Sequence, residues 1–593
     1  MVNVLLASIS FSAYEWIPYP VGMLISHCNK DRKIREQYHF MEPEYRSYAL
    51  SDSAFHAQLK AADILGLTNW VWNQNYNDQI AKLYKVYRPD GLVVYGGTNV
   101  PESPEVSRGY AEVRPYVDIF FCGPAEEYFR KFLVDFSQTG LAGVVGAFTH
   151  TEFHVVKDRL QYKNIELAMP YLDGVFDHLI KSSKDPLSAI FETNRGCPYG
   201  CAFCDWGGMT RSKIVRADRQ LVKDTISYIM AHENIDRIEL ADANFGIFDA
   251  DVEYMQHMID CKLKRVRNIN LTMGGFAKNG SPHVEKIMEM MHAHFDAYCG
   301  RKYVKISFQS HDPVVLEASN RSNIQNAKLY PMISRFQAKG VDVDAEMIMG
   351  LPGDNQERWL NSIQRNMDLK INHQKSFALY VVPNTLMATP EYREKYKVKT
   401  KKVLIPHDLY HLKSSAYHSS RADGKIHTAC DFSDPSEYQT LEFMYESFSF
   451  DSAELMRIYD VWFWFNTLYN AKVARDWMLR SADTAHSQFA KFMQQIEAGN
   501  MPFFKKLLEE FREAVWNTIA KPEPVTKVKE LFWVNFVVKF AFRGNEVFDI
   551  FENQETARGE LALIYPDINL QHFRASPGFK DKIQLYFVGA EVV

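Results

Sequence analysis

Thr193-Asn194-Arg195-Gly196-Cys197-Pro198-Tyr199-Gly200-Cys201-Ala202-Phe203-Cys204-Asp205-Trp206-Gly207 decides how this chain is read. Its three cysteines follow a C-x3-C-x2-C spacing, with the aromatic Phe203 just before the last. Three thiolates this close can ligate three irons of a [4Fe–4S] cube and leave the fourth iron open. An open iron can chelate a ligand, which a cube held by four cysteines cannot do. A structural zinc site needs four ligands, commonly from two C-x2-C knuckles. The other cysteines, Cys28, Cys122, Cys261, Cys299 and Cys430, are scattered and supply no second pair. They read as ordinary thiols. Scattered cysteines without a signal peptide suggest a reducing, cytoplasmic setting rather than a disulfide framework.

At 593 residues the chain has room for two to four domains. Hydrophobic residues make up 46% and charged residues 24%, the balance of a soluble globular protein. Net charge is −5, from 68 basic and 73 acidic residues, which argues against a broad nucleic-acid footprint. Leu531 to Phe542 is the richest apolar run. Asn535 and Lys539 break it, and it is too short to span a bilayer.

Outward from the cysteines, apolar strands alternate with helical stretches on both sides. Toward the N-terminus the strand runs are Val2–Ala7, Asp63–Thr68, Gly91–Gly97 and Val117–Gly123, with a helix over Asn77–Tyr87. That alternation predicts a doubly wound, Rossmann-like α/β sheet over residues 1–150. Its strand ends carry Thr68, Asn69, Trp70, Trp72 and Asn73, then Gly96, Gly97 and Thr98, then Gly123 and Glu126. Paired glycines there let a ligand approach the backbone closely. Residues 151–187, with Pro170, Pro186 and Ser182-Ser183, read as a linker.

Residues 188–395 repeat β/α. Strands are expected over Ser188–Thr193, Arg237–Ala241, Ile269–Met273, Tyr303–Phe308, Val341–Ile348 and Phe377–Val382, with helices such as Asp218–His232 and Asn355–Met367. Six parallel strands predict a partial (β/α)6 TIM-type barrel with its chemistry at the strand carboxyl ends. Residues 396–593 read as a mainly helical domain over Ser452–Ala471, Ser487–Ala498 and Pro502–Ala520. Lys395–Lys402 there reads as an exposed basic run. Trp462, Trp464, Tyr469 and Trp516 are core or pocket wall.

The cysteine motif resembles the signature of the radical S-adenosylmethionine (SAM) enzymes. The N-terminal half resembles the cobalamin-binding domain fused ahead of many of them, through Asp63–Asn73, Pro89-Asp90, Gly96-Gly97, Val117-Asp118, Gly123 and Glu126. The D-x-H-x-x-G motif of the cobalt-ligating type is absent, and the Phe11–Gly22 loop holds no histidine. The resemblance implies cobalamin without a protein histidine on cobalt. It also implies that Cys197, Cys201 and Cys204 hold a [4Fe–4S] cluster whose open iron chelates SAM. The successive strand-end residues then become SAM contacts: Phe203, Asp242, Asn244, Gly274, Gly275, Gln309, Ser310, Arg321 and, at the fifth strand, Glu346, Gly350 and Pro352. An arginine suits a carboxylate through its bidentate fork.

The activity implied is C-methylation of an unactivated carbon. A 5′-deoxyadenosyl radical would remove hydrogen, and methylcobalamin would supply the methyl group. An external electron donor such as flavodoxin or ferredoxin would be required. The substrate would be a peptide or a small-molecule natural-product intermediate, with no nucleic-acid partner and no membrane span. The same cofactors serve radical rearrangement or ring formation, and a cobalamin-binding scaffold or sensor is the non-catalytic alternative. Methylthiolation needs a second cluster, for which the chain has no second cysteine triad.

Overall fold

A computed structural model describes residues 1–11, 15–123, 125–139, 147–150, 167–206, 214–273, 281–295, 302–406, 434–470, 472–523 and 554–568. Gly274, Gly275, Cys299, Cys430 and the Leu531–Phe542 run lie outside the described residues.

In chain order the first strands are β1 (Val2–Ala7), β2 (Glu15–Trp16), β3 (Tyr38–Phe40), β4 (Ile64–Thr68), β5 (Leu92–Gly96), β6 (Ile119–Phe121) and β7 (Ala147–Phe148). Six of them form one sheet in the order β3-β1-β4-β5-β6-β7. All its pairings are parallel except β6 with β7. Side chains alternate between two apolar faces. Leu5, Leu65, Val93 and Phe120 pack on one side; Val4, Leu6, Ile64, Val94 and Phe121 pack on the other. A parallel sheet covered on both faces needs such continuous apolar strands. The strand order reverses direction beside β1, so the crevice for a ligand opens at the carboxyl ends of β1 and β4.

The second set comprises β8 (Leu187–Phe191), β9 (Asn194–Arg195), β10 (Val215–Arg216), β11 (Ile235–Leu240), β12 (Asn270–Met273), β13 (Tyr303–Gln309), β14 (Asp342–Met349) and β15 (His373–Ala378). The expected barrel is not one continuous sheet here. β12-β11-β8-β2 form one sheet and β13-β14-β15 another. No pairing joins β12 to β13 among the described residues. The sixth strand also lies four residues earlier than expected. Pro383-Asn384-Thr385 therefore does not end it; these residues follow a loop in which Tyr380 bridges to Phe443.

Alternation in this second set divides an apolar face from a polar one. Ile238 and Leu240 of β11, Val304 and Ile306 of β13, and Val343 and Ala345 of β14 join the main apolar core. Arg237 and Glu239, Lys305 and Ser307, Asp344 and Glu346 occupy the opposite face. Lys305 and Glu346 form an ion pair at 3.1 Å across it. Helices start where capping residues stand. Asp218 accepts from Gln220 and Leu221 at the head of Arg219–Ala231, and Asn355 accepts from Arg358 at the head of Gln356–Asp368.

After these strands, β16 (Lys399–Pro406) pairs antiparallel with β17 (Tyr438–Glu446). Lys395, Lys397, Lys399 and Lys402 are exposed as expected, and the exception is Lys401, only 4% exposed. Strand alternation turns one lysine inward while its neighbours face solvent. The helices Ser452–Phe465, Ala485–Glu497 and Pro502–Val515 carry Trp462, Trp464 and Phe511 into the same core as β11 and β14. Tyr469 is buried there too. Trp516 is not, and stands at the surface. Among the described residues no helix is long and apolar enough to cross a membrane, and no disulfide forms.

Candidate functional site

The cysteine loop leaves β8 through a network centred on Asp242. Its carboxylate accepts from Thr193 N at 3.2 Å, Thr193 Oγ1 at 2.8 Å, Asn194 N at 2.9 Å and Asn194 Nδ2. Burial pushes the Asp242 carboxyl up to about 7, against the pull of the Thr193 bonds. Asp242 therefore shapes the loop and does not line the cavity described below. β9 and β10 then close the loop as a two-residue antiparallel pair. Gly196 turns the chain with φ +102°, a left-handed conformation that favours glycine.

Cys197 and Cys201 are 3% and 5% exposed, whereas Cys204 is more open. Asn244 Nδ2 donates to Cys197 Sγ at 3.0 Å. Arg321 Nη1 donates to Cys201 Sγ at 3.5 Å, while its other nitrogens bond the Phe308 and Ser307 carbonyls. Asn320 and Ser319 brace the loop backbone at Gly200 and Ala202. Donors aimed at sulfur are the usual means of tuning a thiolate-held metal centre. Among the described residues no three His, Cys, Asp or Glu side chains surround a single ion. A cube is held differently, each thiolate taking its own iron.

A cavity of about 840 Å³ opens beside this loop. One wall is the ligand edge of the first sheet, through Thr68, Gly96, Gly97, Thr98, Gly123 and Glu126. The facing wall is Arg195, Gly196, Phe203, Cys204 and Trp206, with Glu239 from the polar face of β11 and Tyr380 closing a third side. Trp70 and Trp72 also line it, stacked with ring centroids 5.1 Å apart and nearly parallel planes. No histidine is among its described lining residues.

Other sequence-predicted residues fall elsewhere. Asn69 and Asn73 are buried behind the tryptophan turn. Asn73 Oδ1 accepts from Trp70 N at 2.8 Å, and its Nδ2 donates to Ile9 O and Thr68 O. Ser310 is buried and accepts from Asp312 N. Glu346 is held by Lys305 and Ser307, which keep its carboxyl low despite burial. Gly350 turns with φ +75°, and its N–H donates to Asp354; Pro352 is buried in the same turn. None of these reaches the cavity wall.

Among the buried polar atoms without a partner in the described residues are Asn244 Oδ1 and Gln309 Oε1, beside the cysteine loop and at the end of β13. Tyr19, Trp16, Glu192 and Arg195 line the cavity without having been expected there. Arg195 and Glu192 stood in the quoted stretch or beside it. The signal that could have raised them was a charged pair directly before the first cysteine.

No family model matches the chain. The chain is 30% identical over 415 residues to the cobalamin-dependent radical SAM methyltransferase TokK of Streptomyces tokunonensis, covering 68% of this chain and 58% of that protein. Kinship with the cobalamin-dependent radical SAM enzymes follows. A second relative is the 2-(S-pantetheinyl)-carbapenam-3-carboxylate methyltransferase of Streptantibioticus cattleyicolor, 29% identical over 412 residues, again 68% of this chain and 58% of the relative. The chain thus spans 58% of the length of these two curated relatives. In fold it is similar to the cobalamin-dependent SAM radical enzyme OxsB with aqua-cobalamin bound (TM-score 0.51, 13% identity, 99% of this chain and 84% of that one). It is likewise similar to the methyltransferase TsrM of Kitasatospora setae (TM-score 0.50, 15% identity, 75% and 86%). This kinship accounts for an α/β chain with a cysteine loop facing a Rossmann-like sheet edge.

Proposed function

We propose that the chain is a cobalamin-dependent radical SAM methyltransferase acting on a small-molecule natural-product intermediate. The single observation that carries this reading is one cavity walled by both the Cys204 side of the cysteine loop and the Gly96-Gly97 edge of the first sheet. We assign residues 1–150 to the corrin, 188–395 to the cluster and SAM, and 396–593 to substrate or accessory roles. Cys197, Cys201 and Cys204 would hold the cluster.

The residues fit these groups. Gly96 lines the cavity and a Cβ there would meet nothing within 4 Å, so the bare backbone at this edge is the wall a flat ring would meet. The partnerless Asn244 Oδ1 and Gln309 Oε1 suit the ammonium or amino donors of SAM. Bound together, the three groups would supply a carbon-centred radical and a methyl carrier. Asn244 and Arg321 orient the thiolates, and the apolar lining excludes water from the space between the walls.

The test is anaerobic reconstitution with SAM, methylcobalamin and reductant, followed by product mass. Deoxyadenosine together with a substrate heavier by one methylene is expected. Deoxyadenosine without that gain would indicate rearrangement instead. Cys201→Ala should lose the cluster and all reductive SAM cleavage; cleavage retained by that variant would overturn the cluster assignment.

A further inference from the structure

We infer that Arg195 is a positioning residue that couples the two walls of the cavity, holding the cysteine loop in register with the ligand edge of the first sheet. This deepens the proposed function and rests on it. Arg195 ends β9, two residues before Cys197. Its Nε donates to Glu192 Oε1 at 2.9 Å, and Nη2 also bonds Glu192. Its Nη1 donates to Glu126 Oε1 at 2.5 Å.

The two carboxylates belong to different halves. Glu192 directly follows β8. Glu126 opens the helix Glu126–Thr139 behind Gly123, and lies 69 residues from Arg195 in sequence. All three side chains line the cavity, and their side-chain exposures are 19% or less. Screening is weak at such burial, so geometry is held far better than by a surface pair. A guanidinium spans two carboxylates through its rigid fork, which an ammonium cannot reproduce. The helix N-terminus adds a favourable field at Glu126. Order in the cysteine loop therefore transmits to the corrin wall, and the reverse must hold equally.

The experiment titrates hydroxocobalamin into the full chain by absorbance, with and without the reconstituted cluster. Wild type, Glu126→Gln and Arg195→Lys are compared. In wild type, cluster loading should tighten corrin binding by about tenfold. In both variants that ratio should fall to near one, while iron and sulfide content stays at the wild-type level. A merely structural role would weaken corrin binding alike in both states, or lose iron, and either result overturns the inference. Glu126→Asp keeps the charge and should recover part of the ratio. If the melting curve of one of the two variants shows misfolding, the other carries the test. A wild-type chain that binds corrin with no dependence on the cluster refutes the coupling and leaves the functional reading standing. A wild-type chain that binds no corrin in either state overturns both.

Discussion

Asn244 Nδ2 lies 3.0 Å from Cys197 Sγ and donates to it. A hydrogen bond to a thiolate ligand favours the more negative, reduced state of a bound cluster. Asn244→Leu keeps the approximate volume and removes the donor. The cluster potential should fall by on the order of tens of millivolts, read by an electron paramagnetic resonance redox titration. An unchanged potential would mean that the contact carries no electronic weight.

Gly97→Ala should be costly. The backbone stands at φ +98°, and the new Cβ would meet Asn69 O at 2.5 Å and Asn69 N at 2.9 Å. Both obstacles are backbone atoms and cannot rotate away. A loss of about 3 kcal/mol in urea unfolding is expected, with weakened corrin binding. Gly96→Ala is the control for stability alone, because a Cβ at Gly96 meets nothing within 4 Å.

Asn384 joins the halves at a second place. Its Oδ1 accepts from Glu102 N at 2.9 Å, and its Nδ2 donates to Thr98 O at 2.9 Å and Val100 O at 2.8 Å. Its φ is +65°. Asn384→Ala loses three bonds and adds backbone strain, so about 3 kcal/mol of stability should go. Asn384→Gly loses the same bonds without the strain, and should be milder by about 1 kcal/mol. Equal losses would assign the whole effect to the side chain.

His311 gives the protein an acid-sensitive point. Burial holds its imidazole neutral and pushes its pKa down to about 4, against its bond to Asn366. The unfolded chain takes the proton near the ordinary value of about 6.5. Stability from this group is therefore complete above that value and is lost as pH falls toward 4. His311→Gln keeps a donor for Asn366 and removes the titration. Its urea midpoint should decline less than that of wild type between pH 7 and pH 4.5. Parallel decline of the two proteins would place the acid sensitivity elsewhere.

Much of the fold was legible because its strands are uniformly apolar. β1, β4 and β5 read directly, and Asp218 and Asn355 marked helix starts in advance. β15 was displaced because His373 and Lys375 lie on a polar face, so its polar positions hid the strand while the apolar Phe377–Val382 drew attention. Lys401 was misread because a run of lysines looks solvated until strand pairing alternates it. At the site, the cysteines and the glycine edge were visible as local motifs. Asp242 was read as a SAM contact from its place after a strand, whereas its hydrogen-bond partners Thr193 and Asn194 lie about fifty residues back and leave no local trace. The Arg195–Glu126 contact joins the end of β9 to the first residue of a helix 69 positions away, and no local pattern announces such a pair.

β2 has a consequence for how the protein fills. Glu15 and Trp16 follow the first strand of the first sheet, yet they hydrogen-bond to β8 as the edge strand of the second. Ile17 N continues the seam to Ser188 O at 2.9 Å. The halves are sewn together rather than hinged, so swinging them apart would tear a sheet. Among the described lining residues Trp72 and Trp206 are the large apolar side chains that stand exposed, so a bulky flat ligand entering beside them must move them. Loading is then a matter of side-chain traffic at a threshold, and its rate should answer to the size of those two indoles more than to the looseness of the whole chain.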